Sequence, residues 1–447
     1  MFLDFMISAF KENKGKDAII WQGEIYSYEW LLDRMNYWQE VINSEEITAG
    51  TVTILETDFS PNSVALFLAL VEHGCIFVPL TSSVEANKHE FIKIAQGEVS
   101  FSVDNNDHVK ITRLPNSANH EFYKKLRQLS HPGLVLFSSG STGKSKASVH
   151  DLLGILEKFK VPRHSLRTIT FLLYDHIGGV NTLLYTLSNA GCIVTVQDRS
   201  PDSVLAAIEK YKVELLPTSP TFINLILLSE AYKRHNIDSL KTVTYGTEPM
   251  PESTLLRFHQ LFPNIRLQQT YGLSEVGILR SKSKSSDSLW VKVGGEGFET
   301  RVVDGILQIR AESAMMGYLN APSPFTEDGW FITGDAVEEN GEFIKILGRK
   351  SEIINVGGEK VYPGEVESVI QEIEAVREVT VYGEKNPITG NIVCAKVSLK
   401  GNEDPKKFAL YAKKYCGERL QSYKVPIKIT IVDEKQHSER FKKVRVI

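Results

Sequence analysis

Short apolar runs alternate with helical stretches through the middle of the chain. From Leu134 onward the runs are LVLFSS, TITFLLY, CIVTVQ, VELLPTS and LKTVTYG, and the stretch VNTLLYTLSNAG and residues 204–211 have helical spacing of apolar positions. Ser200, Pro201 and Asp202 form a helix start, with a capping hydroxyl, a proline at the first position and an acid that the helix dipole favours. This alternation predicts parallel β-sheet covered by helices.

The pattern changes twice towards the carboxyl terminus. FETRVV and ILQIRA flank Asp304-Gly305, and a second turn is expected at Asn340-Gly341, so this region is predicted to be a small antiparallel annex. Beyond Arg349 the order becomes helix 365–373, strands REVTVYG and IVCAKVSLK, helix 406–420 and strand IKITIV. We therefore predict an α/β protein with a large multi-layer N-terminal domain, residues 1–349, and a small α+β C-terminal domain, residues 350–447.

Composition and charge exclude several classes of protein. The 447 residues are 42% hydrophobic and 24% charged, as in ordinary globular proteins of several domains. A net charge of -4 with scattered lysines and arginines provides no basic stripe, so we expect no nucleic-acid partner.

We expect neither a signal peptide nor a membrane span. The amino terminus MFLDFMISAFKENK lacks the order of a secretory leader, and the richest apolar stretch, residues 64–71, is far shorter than the roughly 20 residues that a bilayer requires. Cys75, Cys192, Cys394 and Cys416 are isolated, which favours buried thiols and the reducing cytoplasm.

The segment LVLFSSGSTGKSKASVH carries the clearest chemistry, because a buried strand ends at Phe137 and a loop of small and basic residues follows. These residues are Ser138, Ser139, Gly140, Ser141, Thr142, Gly143, Lys144, Ser145 and Lys146. Converging backbone N–H groups, hydroxyls and a lysine suit a polyphosphate. The loop is not a Walker motif, because Ser138 stands where that motif requires glycine. On this stretch alone, a flexible surface loop remains the alternative.

The stretch resembles the phosphate loop of the adenylate-forming superfamily, which comprises acyl-CoA synthetases, peptide-synthetase adenylation domains and beetle luciferases. Further segments resemble the signatures of that superfamily in the same order, and they cover essentially the whole chain. They are YSYEWLLDRMN, VEHGCIFVPLTSS, YGTEPMP, YGLSEVG, AMMGYLN, GWFITGD, GRKSEIINVGGEKVYPGEVE and SERFKKVRV.

The resemblance implies an ATP site. Residues Ser138 to Gly143 would hold the β and γ phosphates, with Lys146 near the leaving group, although Ser145 replaces the usual proline. Gly246, Thr247 and Glu248 would line adenine. In YGLSE, Tyr271 would stack on adenine beside Gly272, Ser274 would lie near the α phosphate, and Glu275 would bind Mg²⁺, which prefers hard carboxylate oxygens. Asp335 would accept both ribose hydroxyls, and Arg349 would also reach the ribose.

The resemblance also implies a mobile C-terminal domain with two working faces. Lys443 would bridge the substrate carboxylate and the α phosphate, and so lower the repulsion between two anions in the adenylation step. The usual proline and glycine before it are absent, and Lys442 occupies the glycine position. Gly357 and Gly358 would line a tunnel for the pantetheine thiol, and Ser351 stands at the hinge.

FLLYDHIGGVNT resembles the segment that opens the acyl pocket, with His176 as its gate. Ile177 and Tyr245 would line this apolar pocket, as would the other apolar residues Phe171, Tyr174 and Phe222. Asp175 lies one or two positions early for an aspartate that binds a substrate amine, so we favour a carboxylic acid without an α-amino group.

The sequence therefore predicts an acid-thiol ligase. It would use ATP and Mg²⁺ to convert a small carboxylic acid to an acyl-adenylate, release pyrophosphate, and transfer the acyl group to coenzyme A. Three alternatives remain open: transfer to the phosphopantetheine of an acyl carrier protein, a degenerate binding paralogue, and a luciferase-like oxygenase.

Overall fold

A computed structural model describes residues 1–138, 145–438 and 441–443 of the chain. Its helices are α1 (Asp4–Glu12), α2 (Tyr28–Ser44), α3 (Pro61–His73), α4 (Lys88–Ile94), α5 (Glu121–Leu129), α6 (Leu152–Leu156), α7 (Ile177–Ser188), α8 (Pro201–Tyr211), α9 (Pro220–Ser229), α10 (Glu252–Leu261), α11 (Pro363–Gln371) and α12 (Pro405–Gly417).

The first half of the strands builds the large sheets. They are β1 (Asp17–Trp21), β2 (Glu24–Ser27), β3 (Val52–Glu56), β4 (Ile76–Leu80), β5 (Val99–Val103), β6 (Val109–Arg113), β7 (Gly133–Ser138), β8 (Lys146–Asp151), β9 (Arg167–Ile169), β10 (Cys192–Val194), β11 (Leu215–Thr218), β12 (Thr242–Tyr245) and β13 (Arg266–Gln269).

The remaining strands build mainly the annex and the C-terminal sheet. They are β14 (Gly272–Leu273), β15 (Gly277–Ile278), β16 (Arg280–Ser283), β17 (Trp290–Gly294), β18 (Phe298–Val303), β19 (Ile306–Ala311), β20 (Gly317–Tyr318), β21 (Phe331–Asn340), β22 (Phe343–Arg349), β23 (Ile354–Val356), β24 (Glu359–Val361), β25 (Val376–Asn386), β26 (Gly390–Leu399) and β27 (Lys428–Ile431).

Two large mixed sheets form the layers of the N-terminal part. One has the order β13-β12-β11-β9-β10-β1-β2 and is parallel from β13 to β1, and the other has the order β20-β8-β7-β4-β3-β5-β6 with a parallel centre. Helices α3 and α7 are buried almost throughout. The predicted α/β class, with a larger N-terminal and a smaller C-terminal part, is confirmed.

The annex and the C-terminal sheet follow the predicted order. The annex has the antiparallel order β16-β17-β22-β21-β19-β18, and β18 and β19 flank the turn at Asp304-Gly305. The C-terminal sheet has the order β24-β23-β26-β25, with β27 parallel to β26, and α11 and α12 bury Val366, Ile370 and Phe408 in its core.

Local chemistry explains the element boundaries that the sequence predicts well. The Ser200 hydroxyl accepts a hydrogen bond from the Ser203 N–H and caps α8, with Pro201 in the first turn. The predicted strand TITFLLY is shorter than expected, because β9 ends at Ile169, where its pairing with β10 stops at Val194. The following residues leave the sheet as a buried loop that leads to α7.

No helix in the described part of the chain is long and apolar enough to cross a bilayer. All four cysteines are buried, free thiols, as the sequence predicts.

Candidate active site

The carboxyl ends of neighbouring parallel strands bring three predicted site residues, together with Ser219, to one edge of the first sheet. Phe171 lies just beyond β9, Ser219 follows β11, Gly246 follows β12 and Tyr271 follows β13. Open α/β sheets bind ligands at this edge, because the loops that follow adjacent strands meet there.

Asp335 lies at the centre of a polar cluster that joins this edge to the annex. The Tyr271 hydroxyl donates a hydrogen bond to Asp335 Oδ2 at 2.5 Å, and Arg349 Nε lies 2.8 Å from Oδ1. Arg349 and Asp335 face each other across the β21–β22 ladder, and Arg349 Nη1 also donates to the Thr333 carbonyl at 2.8 Å. Two partners therefore orient the carboxylate.

The burial of Asp335 has an electrostatic consequence. Desolvation raises the pKa of this carboxyl above its ordinary value, although the Arg349 guanidinium and the Tyr271 hydroxyl favour the charged form. Burial and the neighbouring Asp335 also raise the pKa of Tyr271 well above its usual range, so this phenol stays a donor. The cluster thus presents an oriented acceptor that is only 7% exposed.

Glu275 and Lys146 are linked through Tyr318. The Tyr318 hydroxyl donates to Glu275 Oε1 at 2.6 Å, and Lys146 Nζ lies 5.2 Å from the centre of the Tyr318 ring. Strand β20, which carries Tyr318, pairs with β8, which begins at Lys146, and Ser138 pairs with Lys146 at the end of the β7–β8 ladder. Burial and Glu275 raise the pKa of Tyr318, so its hydroxyl also remains a donor.

Ser139, Gly140, Ser141, Thr142, Gly143 and Lys144 of the predicted phosphate loop lie outside the described residues. Ser138 and Lys146, which pair at the end of the β7–β8 ladder, mark the two ends of this loop. Ser274 and Glu275 lie half-buried in the turn between β14 and β15.

The backbone of the segments predicted to bind adenine passes close to neighbouring backbone atoms. A Cβ at Gly246 would lie 2.7 Å from the Thr270 carbonyl oxygen, and one at Gly272 would lie 2.7 Å from the Gly277 carbonyl oxygen. Thr247 has a φ of 74°, which is strained for a β-branched residue. Strain of this kind is concentrated at functional sites.

Glu248 connects this segment to α9 and to the tail of the chain. Its Oε1 accepts hydrogen bonds from the Thr221 N–H at 2.8 Å and from the Thr221 hydroxyl, and its Oε2 accepts the Lys443 N–H at 3.0 Å. The carboxylate is therefore engaged by backbone and side-chain donors from two distant parts of the chain.

The predicted acyl residues lie around the start of α7 and the end of β12. His176 Nδ1 accepts a hydrogen bond from the Gly178 N–H at 3.0 Å and so caps α7, while Ile177 and Tyr245 are buried. Asp175 is 4% exposed and accepts a 2.8 Å hydrogen bond from the Thr81 hydroxyl.

The C-terminal residues do not all meet the Asp335 cluster. Lys443 Nζ forms an ion pair with Glu367 of α11 at 2.9 Å, and Glu367 Oε1 accepts the Val381 N–H at 3.0 Å. Gly357 and Gly358 have φ values of 59° and 93° and form the exposed turn between β23 and β24. A Cβ at either glycine would meet no described atom within 4 Å.

Sequence reasoning missed several residues that the structure places in these contacts. Tyr318 and Glu367 lie within the recognised segments AMMGYLN and GRKSEIINVGGEKVYPGEVE, whereas Thr221 lies outside them. The segments alone could not reveal the partners, which lie far away in the sequence.

Comparisons with known proteins identify the family of the chain. Residues 8–319 match the family described as AMP-binding enzyme, and residues 365–442 match the AMP-binding enzyme C-terminal domain. An indoleacetate–CoA ligase of Aromatoleum aromaticum is 28% identical over 331 residues, which cover 68% of this chain and 64% of that protein. A putative acyl–CoA ligase, YdaB, of Bacillus subtilis is 29% identical, over 66% of this chain and 62% of that protein.

The chain thus spans less than two thirds of the length of these curated relatives.

Two solved structures are similar along nearly the whole chain. The anthranilate CoA ligase AuaEII in complex with anthranoyl-AMP has a TM-score of 0.81 at 19% identity, over 97% of this chain and 93% of its own. The o-succinylbenzoate CoA synthetase of Bacillus subtilis with its acyl-adenylate has a TM-score of 0.76 at 19% identity, over 99% of this chain and 97% of its own.

At these identities the structural likeness supports the fold, and the family match covers well over half of the residues. The chain belongs to the AMP-binding enzyme family.

Proposed function

We propose that the protein is an acid-thiol ligase. It uses ATP to convert a carboxylic acid to an acyl-adenylate with release of pyrophosphate, and then transfers the acyl group to the thiol of coenzyme A. The convergence of the Asp335–Arg349–Tyr271 cluster with the strand ends of the first sheet is the observation that carries the proposal. The CoA ligases among the relatives support the same chemistry.

Different residues bind the ribose, the adenine and the phosphates of ATP. Asp335 accepts the ribose hydroxyls, because Tyr271 and Arg349 orient its carboxylate and each carboxylate oxygen retains a lone pair for a further donor. Gly246, Thr247 and Glu248 form the adenine wall, where a larger residue than glycine would collide with Thr270. Ser138 and Lys146 hold the ends of the phosphate loop, with Ser274 near the α phosphate.

Glu275 is the residue that fits a magnesium ion. Mg²⁺ is commonly held by one or two carboxylates together with substrate phosphates, and the Glu275 carboxylate would supply such a ligand. Tyr318 donates to one oxygen of Glu275 and orients the carboxylate. When bound, the ion would neutralise phosphate charge.

The acid is proposed to lack an α-amino group. Asp175, next to His176 in the sequence, is buried, and its Oδ2 accepts a hydrogen bond from the hydroxyl of Thr81, which follows β4 of the other large sheet. Apolar residues surround the carboxyl edge of the sheet, including Phe171, Ile177 and Tyr245. An aliphatic or aromatic acid fits this setting.

The second step is assigned to coenzyme A, with Gly357 and Gly358 near the thiol after the C-terminal domain rotates. We place the enzyme in the cytoplasm, which the four free thiols support.

The test measures pyrophosphate release from the purified protein with ATP, Mg²⁺ and a panel of aliphatic, aromatic and amino acids. Each acid is assayed alone, with coenzyme A and with a phosphopantetheinylated carrier protein, and the thioester is detected by mass spectrometry. We expect acid-dependent pyrophosphate release and an acyl-CoA product. If none of the acids in the panel causes pyrophosphate release, the first step is contradicted. If a thioester forms on the carrier protein and not on coenzyme A, the assigned acceptor is contradicted.

A further inference from the structure

The tail of the chain folds back on itself before it reaches Lys443. The Ser438 N–H donates to the Lys442 carbonyl at 2.9 Å, and the Phe441 N–H donates to the Ser438 carbonyl at 2.9 Å. His437 and Lys443 pair as an isolated antiparallel β-bridge. We call His437, Ser438 and residues 441–443 the tail turn. Its base is anchored in the C-terminal domain, because His437 Nδ1 lies 2.5 Å from Glu378 of β25.

The tail turn projects one aromatic ring into the N-terminal domain. The Phe441 ring lies 5.1 Å from that of Phe171 and 5.2 Å from that of Phe222, between ring centres. The Ser219 hydroxyl donates a 2.8 Å hydrogen bond to the Phe441 carbonyl. The contact is thus specific in both its apolar and its polar parts.

The backbone at Phe441 is strained. Its φ is 51°, in the left-handed region that a bulky residue rarely adopts. A strained aromatic residue held by contacts from another domain is a feature expected at a functional site.

The ring occupies the ligand edge of the first sheet. Phe171 lies just beyond β9, and Phe222 lies in the first turn of α9, directly after β11. With Phe441 in place, Phe171 is 3% exposed and Phe222 is 0% exposed. An apolar group that binds against these two rings must therefore share the space with Phe441 or displace it.

We propose that Phe441 is a specificity-determining residue that limits the size of the acyl group. Its ring forms a wall of the acyl pocket that the C-terminal domain contributes. Phe441 lies two residues before Lys443, whose backbone N–H donates to Glu248 Oε2 at 3.0 Å, so the wall and the lysine belong to the same turn. This inference rests on the proposed ligase function, and it adds a residue that selects the acid.

The wall predicts opposite effects for smaller and larger side chains. Phe441→Ala opens the space over Phe171 and Phe222, so a longer acyl chain gains apolar contact. Phe441→Trp fills the same space more completely, so longer acids are rejected. Differences of one or a few methylenes in an apolar pocket change discrimination by about tenfold or more.

Phe262 provides the matched control. It belongs to the periphery of the same apolar cluster, where it packs on Tyr232 and Phe258. It lies just beyond the end of α10, a helix that begins after β12 and runs back to the amino edge of the sheet before β13. Phe262→Ala therefore removes an equal ring far from the ligand edge.

The experiment measures kcat/KM for pyrophosphate release with butyrate, octanoate, benzoate and naphthoate in wild type, Phe441→Ala, Phe441→Trp and Phe262→Ala. The ratio of octanoate to butyrate is expected to rise at least about tenfold in Phe441→Ala, to fall in Phe441→Trp and to stay unchanged in Phe262→Ala. Dissociation constants of the butyryl and octanoyl sulfamoyl-adenosine analogues, measured by calorimetry, should change in the same ratio.

An equal change for all acids in Phe441→Ala would overturn the proposal. If kcat/KM rises equally for all acids, Phe441 blocks the site for every acid. If kcat/KM falls equally for all acids, Phe441 serves only to dock the tail turn. If the wild-type protein releases no pyrophosphate with any acid and binds neither analogue, the ligase function itself fails. An active wild-type enzyme with an unchanged ratio refutes the role of Phe441 alone.

Discussion

The ion pair between Lys443 and Glu367 allows the structural and catalytic roles of the lysine to be separated. The Glu367 side chain is only 2% exposed and that of Lys443 is 16% exposed, so Lys443→Ala removes a cation that lies 2.9 Å from a buried carboxylate. Removing one partner of a buried pair costs about 3–5 kcal/mol. We expect about 3 kcal/mol here, since the lysine keeps some contact with water.

That loss is large enough to be measured, and it complicates any activity assay. In a domain of 60–100 residues, a change of about 3 kcal/mol lowers the unfolding midpoint by roughly 10 °C or more. Glu367→Gln removes the buried charge and keeps an oxygen for the Val381 N–H. The double variant Lys443→Ala/Glu367→Gln should therefore recover most of the stability that Lys443→Ala loses.

Activity should not recover with stability. If Lys443 stabilises charge in the adenylation transition state, pyrophosphate release stays at least about a hundredfold below wild type in the double variant. Transfer of acyl groups from a synthetic adenylate to coenzyme A should persist, because that step does not need the lysine. Lys442→Ala, which truncates the neighbouring lysine, serves as the control and should leave adenylation largely intact.

The assay combines thermal unfolding followed by circular dichroism with each half-reaction measured separately on all four proteins. Recovery of pyrophosphate release together with stability in the double variant would show that the lysine acts only through the fold. Equal loss of both half-reactions in that variant, or a larger first-step loss in Lys442→Ala, would also refute the assignment.

Three further predictions concern the nucleotide and thiol sites. Asp335→Ala and Glu275→Ala should each weaken or abolish acid-dependent pyrophosphate release while the circular dichroism spectrum stays native; normal rates at both low and saturating ATP would exclude them from the site. Tyr271→Phe removes a hydroxyl that favours ionised Asp335, so the pKa of this carboxyl should rise further. The acid limb of the pH profile of kcat/KM should then move to higher pH. If the acid limb does not move, ionisation of Asp335 does not control activity. Gly358→Leu, at a φ of 93°, should leave pyrophosphate exchange intact and block thioester formation, and equal damage to both steps would argue against a thiol tunnel there.

Local patterns were sufficient for most of the fold. The Ser200-Pro201-Asp202 start of α8 and the Asp304-Gly305 turn between β18 and β19 depend on interactions between residues close in sequence, and both are found as predicted. TITFLLY and CIVTVQ are exceptions, because β9 ends at Ile169 and β10 ends at Val194. An apolar run indicates burial, and a buried loop has the same composition as a buried strand.

The sequence by itself determined the fold class, the order of elements and the family, because periodicity, turn residues and motifs are all encoded over short spans. Only the tertiary structure decided which side chains meet. Asp335 meets Tyr271, Glu275 meets Tyr318, and Lys443 meets Glu367 across separations of 64, 43 and 76 residues, respectively. Such contacts depend on how sheets and helices pack against one another, and no spacing along the chain specifies that packing.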